Sequence, residues 1–174
     1  MIDPAYVIAM VRYNAWQNSQ LTAIFESMSL EELTEQRGGF WGSILGTASH
    51  LVWGDRMWLS RFDPRVERPD KGLGESATLC RTGPDWSAAR FRLDGQLRRW
   101  AEGLNAIDLR GDMTFFSGAF GREVTTPTAM NVVHMFNHQT HHRGQIHAML
   151  TAAGREAPVT DLFIMPDIED AASA

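Results

Sequence analysis

The chain has 174 residues, a length that suits one domain. Hydrophobic residues make up 44% and charged residues 21% of it, a composition that excludes disordered, collagen-like and coiled-coil proteins. The net charge of −5 argues against nucleic acid or an anionic membrane as the main partner, because phosphate groups are bound by basic surfaces. Cys80 is the one cysteine and cannot form an internal disulfide, so we expect an inert or surface thiol.

We expect a soluble cytoplasmic protein. The N-terminus carries Asp3 where a signal peptide would be basic, and no stretch approaches the about 20 apolar residues of a membrane span. The first predicted helix begins at Asp3-Pro4, a cap followed by a proline whose missing N–H costs nothing there. Its buried stripe is predicted to comprise Val7, Met10, Val11, Leu21, Phe25 and Met28.

Two further helices are predicted in the middle of the chain. Ser29 and Glu32 have the spacing of a capping box and predict a short helical turn. A second long helix from Ser43 to about Phe62 is apolar almost all round and should be deeply buried. After a long connection over residues 63–83, a third long helix begins at Pro84-Asp85.

Arg90 interrupts the apolar face of the third helix, and we interpret it as reaching solvent or, alternatively, an anionic substrate. Residues 108–125 predict a small hairpin or an ordered loop before a fourth helix, which begins at Thr126-Pro127 and ends at Gly154. Four amphipathic helices with long second and third connections favour an all-α four-helix bundle. The expected domain covers residues 1–154, with residues 155–174 as a tail packed loosely on it.

Five of the six histidines lie in the fourth predicted helix. Five polar side chains fall within about 100° of one another around the helix axis: His134, His138, His141, His142 and Gln145. His138 and His142 form an i, i+4 pair, so their imidazoles lie side by side on one helix face. This is the spacing by which a helix offers two nitrogens to a divalent metal.

His50 lies alone on the very apolar second helix. Leaving the ring nitrogens of a buried histidine unsatisfied costs about 1–3 kcal/mol, so it needs a partner or a ligand. Three neutral imidazoles from two helices would form a metal site with open positions for water or substrate. We therefore predict that His50, His138 and His142 bind one divalent ion per chain, zinc or nickel, since imidazole suits both.

Other interpretations stay open. His50 alone would more often be a hydrogen-bonded core histidine, and a metal-free bundle with an incidental histidine cluster is a further alternative. The Glu-x-x-His pairs of di-iron bundles and the His-Glu-x-x-His motif of zincins are both absent. Asn14 and Asn18 fall on the apolar stripe of the first helix, where we expect satisfied buried amides or, alternatively, part of the pocket wall.

Three segments resemble the DinB/YfiT-like metal-dependent family: residues 13–18 (YNAWQN), 43–53 (SILGTASHLVW) and 138–145 (HQTHHRGQ). The resemblance extends over nearly the whole chain up to about Gly154, with the motifs in the expected order. It implies an antiparallel four-helix bundle, often homodimeric, with a divalent metal on three histidines. Carried over by position, these histidines are again His50, His138 and His142.

Some members of that family are transferases or isomerases that place a small thiol such as bacillithiol, mycothiol or glutathione on the metal. Our first hypothesis is therefore an enzyme of the thiol S-transferase or hydrolase type, in which the metal activates a thiol or water. We expect His134 and His141 to orient ligands or transfer protons. The alternative is a protein that binds metal or a small ligand without turnover.

The expected partners are a small-molecule substrate or low-molecular-weight thiol and a second copy of the chain. The homodimer follows mainly from the resemblance. The sequence adds only the aromatic residues Phe115, Phe116 and Phe120, which are predicted to be exposed and to cover a neighbouring molecule.

Overall fold

The computed structural model describes residues 1–118 and 120–166, and this part of the chain is mostly helical. Its elements are, in chain order, α1 (Pro4–Glu26), α2 (Leu30–Thr34), α3 (Ile44–Phe62), a 3-10 helix (Leu73–Thr78), α4 (Gly83–Glu102), β1 (Asp112–Ser117), β2 (Arg122–Pro127), α5 (Thr128–Ala152) and a second 3-10 helix (Leu162–Ile164). Among the described residues, no helix has the length and hydropathy needed to cross a bilayer.

Side-chain caps fix where the helices begin. The Asp3 carboxylate accepts the Tyr6 N–H at 2.8 Å and caps α1, as predicted. Ser29 and Glu32 form the predicted reciprocal capping box of α2. These bonds satisfy N–H groups that have no partner within the helix. At the other end of the chain, Gly154 adopts a φ of 69° just beyond α5, a left-handed conformation that favours glycine.

The long helices enclose one apolar core. Helix α1 packs on α4, α4 packs on α3, and α3 packs on α5. Helix α5 also contacts α1, which closes the ring of helices. Helix α3 is the most deeply placed, since residues 44–52 are all buried. The predicted burial of this helix is therefore confirmed, and it brings His50 into the interior.

Arg90 is buried within this core rather than directed to solvent, and this corrects the interpretation from sequence. Its side chain is 3% exposed. The guanidinium lies 2.6 Å from an Asp55 carboxylate oxygen and 2.7 Å from one of Asp94. The positive charge is thus matched by two carboxylates of the protein itself.

Buried amides extend these ion pairs across the core. Asn14 and Asn18 donate to the Asp94 carboxylate at 3.3 Å and 3.1 Å. Gln139 of α5 donates to Asp55 at 3.0 Å, and Arg143 donates to the Asn14 carbonyl oxygen. We call these side chains the polar network; its members are Asn14, Asn18, Asp55, Arg90, Asp94, Gln139 and Arg143. It joins α1, α3, α4 and α5.

The strands β1 and β2 form an antiparallel hairpin that pairs Asp112 with Pro127 and Ser117 with Arg122. Thr126, predicted to open the last helix, belongs to β2 instead, and α5 begins at Thr128.

The first part of the C-terminal tail is held by hydrogen bonds to α1. The Val159 carbonyl accepts from Gln17 at 2.6 Å, and the Thr160 carbonyl accepts from Tyr13 at 2.7 Å. Residues 159 and 160 of the predicted tail are thus hydrogen-bonded to α1, and residues 167–174 lie outside the described residues.

Candidate metal centre

The fold brings together the three histidines selected from sequence. His50 of α3 faces His138 and His142 of α5, and the Nε2 atoms of His50 and His138 are 3.0 Å apart. One ring nitrogen from each of the three lies within 4.8 Å of the others. Imidazole nitrogens bound to one zinc at about 2.0–2.1 Å would stand roughly 2.9–3.4 Å apart. The triad of histidines could therefore hold a metal ion.

A serine from a distant connection sets the tautomer of His50. The Ser76 hydroxyl donates to the Leu73 carbonyl at 2.7 Å, so its oxygen accepts the Nδ1–H of His50, 2.9 Å away. The proton on Nδ1 leaves a lone pair on Nε2, which faces His138. Metal-binding histidines in proteins are oriented in this way.

Gln145 does the same for His142. Its side-chain carbonyl, which can only accept, lies 2.7 Å from Nδ1 of His142, so the proton is on Nδ1 and Nε2 is free to ligate. The amide nitrogen of Gln145 lies 3.2 Å from Nε2 of the exposed His141. Gln145 thus connects the exposed histidine to the buried one.

His138 completes the site and leaves one polar atom unexplained by the protein. Its Nδ1 is buried and has no hydrogen-bond partner among the described residues. Its Nε2 faces the lone pair of His50, and such a short contact between imidazole nitrogens requires a proton or a cation between them. The donor set and its geometry fit a divalent first-row metal.

Aromatic rings and a glycine shape the walls of the site. The Trp41 indole stacks on His50 with ring centroids 3.9 Å apart, and Trp53 lies on the same imidazole at 5.9 Å. Gly54 makes room for His138, because a Cβ at this position would lie 2.8 Å from its Cε1 atom. Trp53 and Gly54 are on α3, whereas Trp41 is held by a turn in which Gly42 has a φ of 80°.

Burial keeps these imidazoles neutral. It lowers the pKa of His50 to about 3, with the charge of His142 as a second cause. Burial and then the neighbouring histidines lower the pKa of His138 to about 3. Burial also lowers the pKa of His142, partly opposed by its bond to Gln145. Metal ligation requires neutral imidazole, so the ligand form prevails at neutral pH.

The other predicted site residues occupy two different places. His134 and His141 are exposed and lie at the rim, the His134 ring 6.2 Å from that of His138. Asn14 and Asn18 bond to Asp94 in the polar network, as buried amides with satisfied donors. Cys80 is buried, and burial raises the pKa of its thiol, which makes it an inert group.

Sequence reasoning missed Ser76 and Gly54. Ser76 lies in the connection between α3 and α4, with no local pattern that marks it as a partner of His50. Gly54 carries a signal that could have been read: a glycine in the interior of a buried helix, four residues after His50, indicates the close approach of another group.

Comparison with known proteins bears on the fold and the family of the chain. A family model described as the DinB family matches residues 1–171. The crystal structure of a DinB-like protein from Bacillus cereus ATCC 10987 superposes with a TM-score of 0.60 at 18% identity, covering 83% of this chain and 90% of that chain. This likeness shows a common fold. A search of curated proteins gave no significant match. Because the family model spans nearly the whole sequence, including both histidine-bearing helices, the chain belongs to the DinB family.

Proposed function

We propose that this protein is a metal-dependent enzyme that activates a small thiol or water on one divalent ion held by His50, His138 and His142. The observation that carries the proposal is the convergence of three imidazoles, two of which have Nδ1 engaged by Ser76 and Gln145. Three protein ligands leave open coordination positions, as in catalytic rather than structural zinc sites.

When bound, the ion would lower the pKa of a thiol or water, so that the nucleophile forms near neutral pH. The protein's own residues orient the ligands and restrict access. Ser76 and Gln145 fix two of the imidazoles, and Trp41 covers one face of His50. His141 is exposed and linked to His142 through Gln145, a position from which it can exchange a proton with solvent.

Elemental analysis of tag-free protein tests the metal centre. We expect about one zinc or nickel ion per chain, since three imidazoles suit both metals. The His138→Ala, His142→Ala double variant should lose the ion after dialysis, while alanine preserves the helix. His147→Ala is the matched control, because His147 lies on α5 but lines a cavity with Tyr13 and Pro158, away from the triad. Full metal content in the double variant would place the site elsewhere.

Turnover distinguishes the enzyme from the alternative, a protein that binds metal or a small ligand without reaction. The metal-loaded protein is incubated with a panel of small thiols and chlorodinitrobenzene, and with ester substrates. We expect metal-dependent product formation that the double variant lacks. Metal binding without turnover on any substrate would favour the binding protein.

We also propose that α1, α3, α4 and α5 form the antiparallel four-helix bundle of the family, with residues 1–154 as its single domain. The DinB match supports a bundle of this family. From the resemblance of the sequence motifs and the net charge of −5, we further propose a cytoplasmic homodimer whose partners are small molecules rather than nucleic acid or membranes. Light scattering at micromolar concentration tests the dimer. A mass of 19.5 kDa, that of one chain, would refute it.

A further inference from the structure

An arginine near the histidine triad is held in place by aromatic rings. Arg61 lies in the last turn of α3, with its guanidinium carbon 4.4 Å from the Trp58 ring centroid and 4.2 Å from that of Phe115 in β1. Its one hydrogen bond among the described residues is donated to the Phe116 carbonyl at 3.3 Å. Guanidinium groups carry five N–H donors, so most of this group's capacity is unused.

The charge of Arg61 is not compensated locally. Within the described residues no carboxylate forms an ion pair with it, and its Nε is buried without a hydrogen-bond partner. Burial and then the like charge of Arg68 lower the pKa of Arg61 to about 10, so it is still a cation at neutral pH. The two arginines of the polar network, Arg90 and Arg143, meet an acid and an amide respectively, whereas Arg61 meets neither.

The position of Arg61 relates it to the triad. The Trp58 ring contacts that of His134 at 5.0 Å, and His134 lies one helical turn before His138 on α5. The charge of Arg61 contributes to lowering the pKa of His134, after burial. From His142 through His138 to His134 is eight residues, or two turns and about 12 Å along α5. Ring contacts through His134 and Trp58 thus connect the triad to the guanidinium.

We propose that Arg61 binds a carboxylate carried by the substrate, at the end remote from the group that reacts at the triad. This inference rests on the proposed function. A guanidinium can donate two parallel hydrogen bonds to the two oxygens of a carboxylate, and the aromatic rings already hold this one in a fixed orientation. Trp58 and Phe115 would flank the apolar part of the same molecule.

Cobalt-loaded protein provides the test, because thiolate ligation to cobalt gives a near-ultraviolet charge-transfer band. The protein is titrated with mercaptopropionate, mercaptohexanoate and mercaptooctanoate, and with the alcohol that matches each in length. We expect the longest acid to bind about tenfold more tightly than its alcohol, the size of one charge-assisted hydrogen-bond pair. The shortest pair should show no preference, since it cannot span about two helical turns.

Variants assign the preference to the side chain. In Arg61→Met the longest acid and its alcohol should bind equally. Arg61→Lys should retain part of the preference for the acid, because lysine keeps the positive charge but lacks the two parallel N–H donors of the guanidinium. Arg56→Met is the matched control, an arginine on the same helix that approaches Glu67 at 3.7 Å, and it should behave as wild type. Thermal melts confirm that each variant is folded.

The outcomes separate this inference from the proposed function. Thiols that bind the cobalt with equal affinity for acid and alcohol overturn the role of Arg61 and leave the metal centre intact. A preference that survives in Arg61→Met overturns it as well. Failure to bind cobalt, or binding of cobalt without any thiol band, refutes the open metal site and with it the inference.

Discussion

Hydrogen bonds to the remote ring nitrogens determine what the histidine triad can do. Ser76 fixes the Nδ1 proton of His50 and Gln145 that of His142, so two lone pairs point inward before any ligand arrives. Sequence spacing could identify the i, i+4 pair on α5, because helical periodicity is a local property. It could not identify Ser76, which lies 26 residues from His50 in a connection without periodic pattern.

Ser76→Ala should weaken metal binding about ten- to a hundredfold, the usual cost of removing the partner of a ligating histidine. The imidazole of His50 then loses the acceptor for its Nδ1–H and can adopt the other tautomer. Competition with a chromophoric chelator measures the affinity. Thr78→Ala, in the same 3-10 helix but exposed, is the control and should bind as wild type. Equal affinities in both variants would remove Ser76 from the site.

The stability of the metal-free protein should fall as the pH is lowered from about 6.5 towards 3. His50 and His138 have a pKa near 6.5 when unfolded and about 3 when folded, so in this window the unfolded chain binds protons that the folded chain does not. The stability is fully present above about 6.5 and declines by about 1.4 kcal/mol per pH unit for each histidine. Urea denaturation at several pH values measures the slope, and His138→Asn should lose about half of it. A flat profile would contradict the burial of neutral imidazoles.

At the scale of elements, α3 and α5 are the pair that carries the site, and their close approach depends on Gly54. A Cβ there would meet the His138 ring at 2.8 Å, closer than real contacts allow. Gly54→Ala should therefore displace that ring and lower metal affinity, although alanine favours the helix by about 1 kcal/mol.

Gly95→Ala on α4 is the matched control for Gly54→Ala. The nearest atom to its Cβ would be an Arg99 nitrogen at 3.7 Å, an ordinary contact. We expect a higher melting temperature and unchanged metal affinity for Gly95→Ala. If Gly54→Ala binds metal as tightly as wild type, the glycine is dispensable for the site.

Helix bounds were the most predictable part of the fold, because caps and apolar periodicity are encoded in neighbouring residues. Asp3 and Ser29 begin their helices as predicted. Thr126 was assigned to a helix but pairs with Met113 in the hairpin, because β1 provides a strand partner that the residues next to Thr126 do not reveal. The hydrogen bond from Gln17 to the tail was unpredictable for the same reason, since its partner Val159 is distant in the sequence.

At the scale of the molecule, the polar network joins the long helices through polar and charged side chains. These residues interrupt the apolar faces by which periodicity identifies buried helices. Arg90 was expected to reach solvent because a lone cation on an apolar face usually does so. Asp94 lies one turn after Arg90 on α4, an i, i+4 spacing that the sequence shows, whereas Asp55 lies on α3 and meets Arg90 only through packing. Asn14 and Asn18 donate to Asp94 across the interface between α1 and α4. Their position on the apolar stripe of α1 therefore could not show whether they line a pocket or are satisfied within the core.

Arg90→Met should lower the free energy of unfolding by about 3–5 kcal/mol, because it leaves the buried Asp55 carboxylate and the partly buried Asp94 carboxylate without their cation. The surface pair of Arg56 and Glu67 is the comparison, since the Glu67 side chain is 92% exposed. Arg56→Met should cost less than about 1 kcal/mol. Chemical denaturation of both variants provides the values, and similar losses would show that the network contributes no more than a surface ion pair.

The indole of Trp41 lies flat on the His50 imidazole, and this stacking turns the site into its own optical reporter. The fluorescence of an indole depends on the charge of a ring stacked on it and on how readily that ring accepts an electron. An open-shell ion such as cobalt or nickel, placed on the far nitrogen of that imidazole, would quench the emission of Trp41, and less strongly that of Trp53 on the same ring, far more than that of the four other tryptophans. Occupancy can therefore be followed in solution without a label, by the quenching that Trp41→Phe should largely remove.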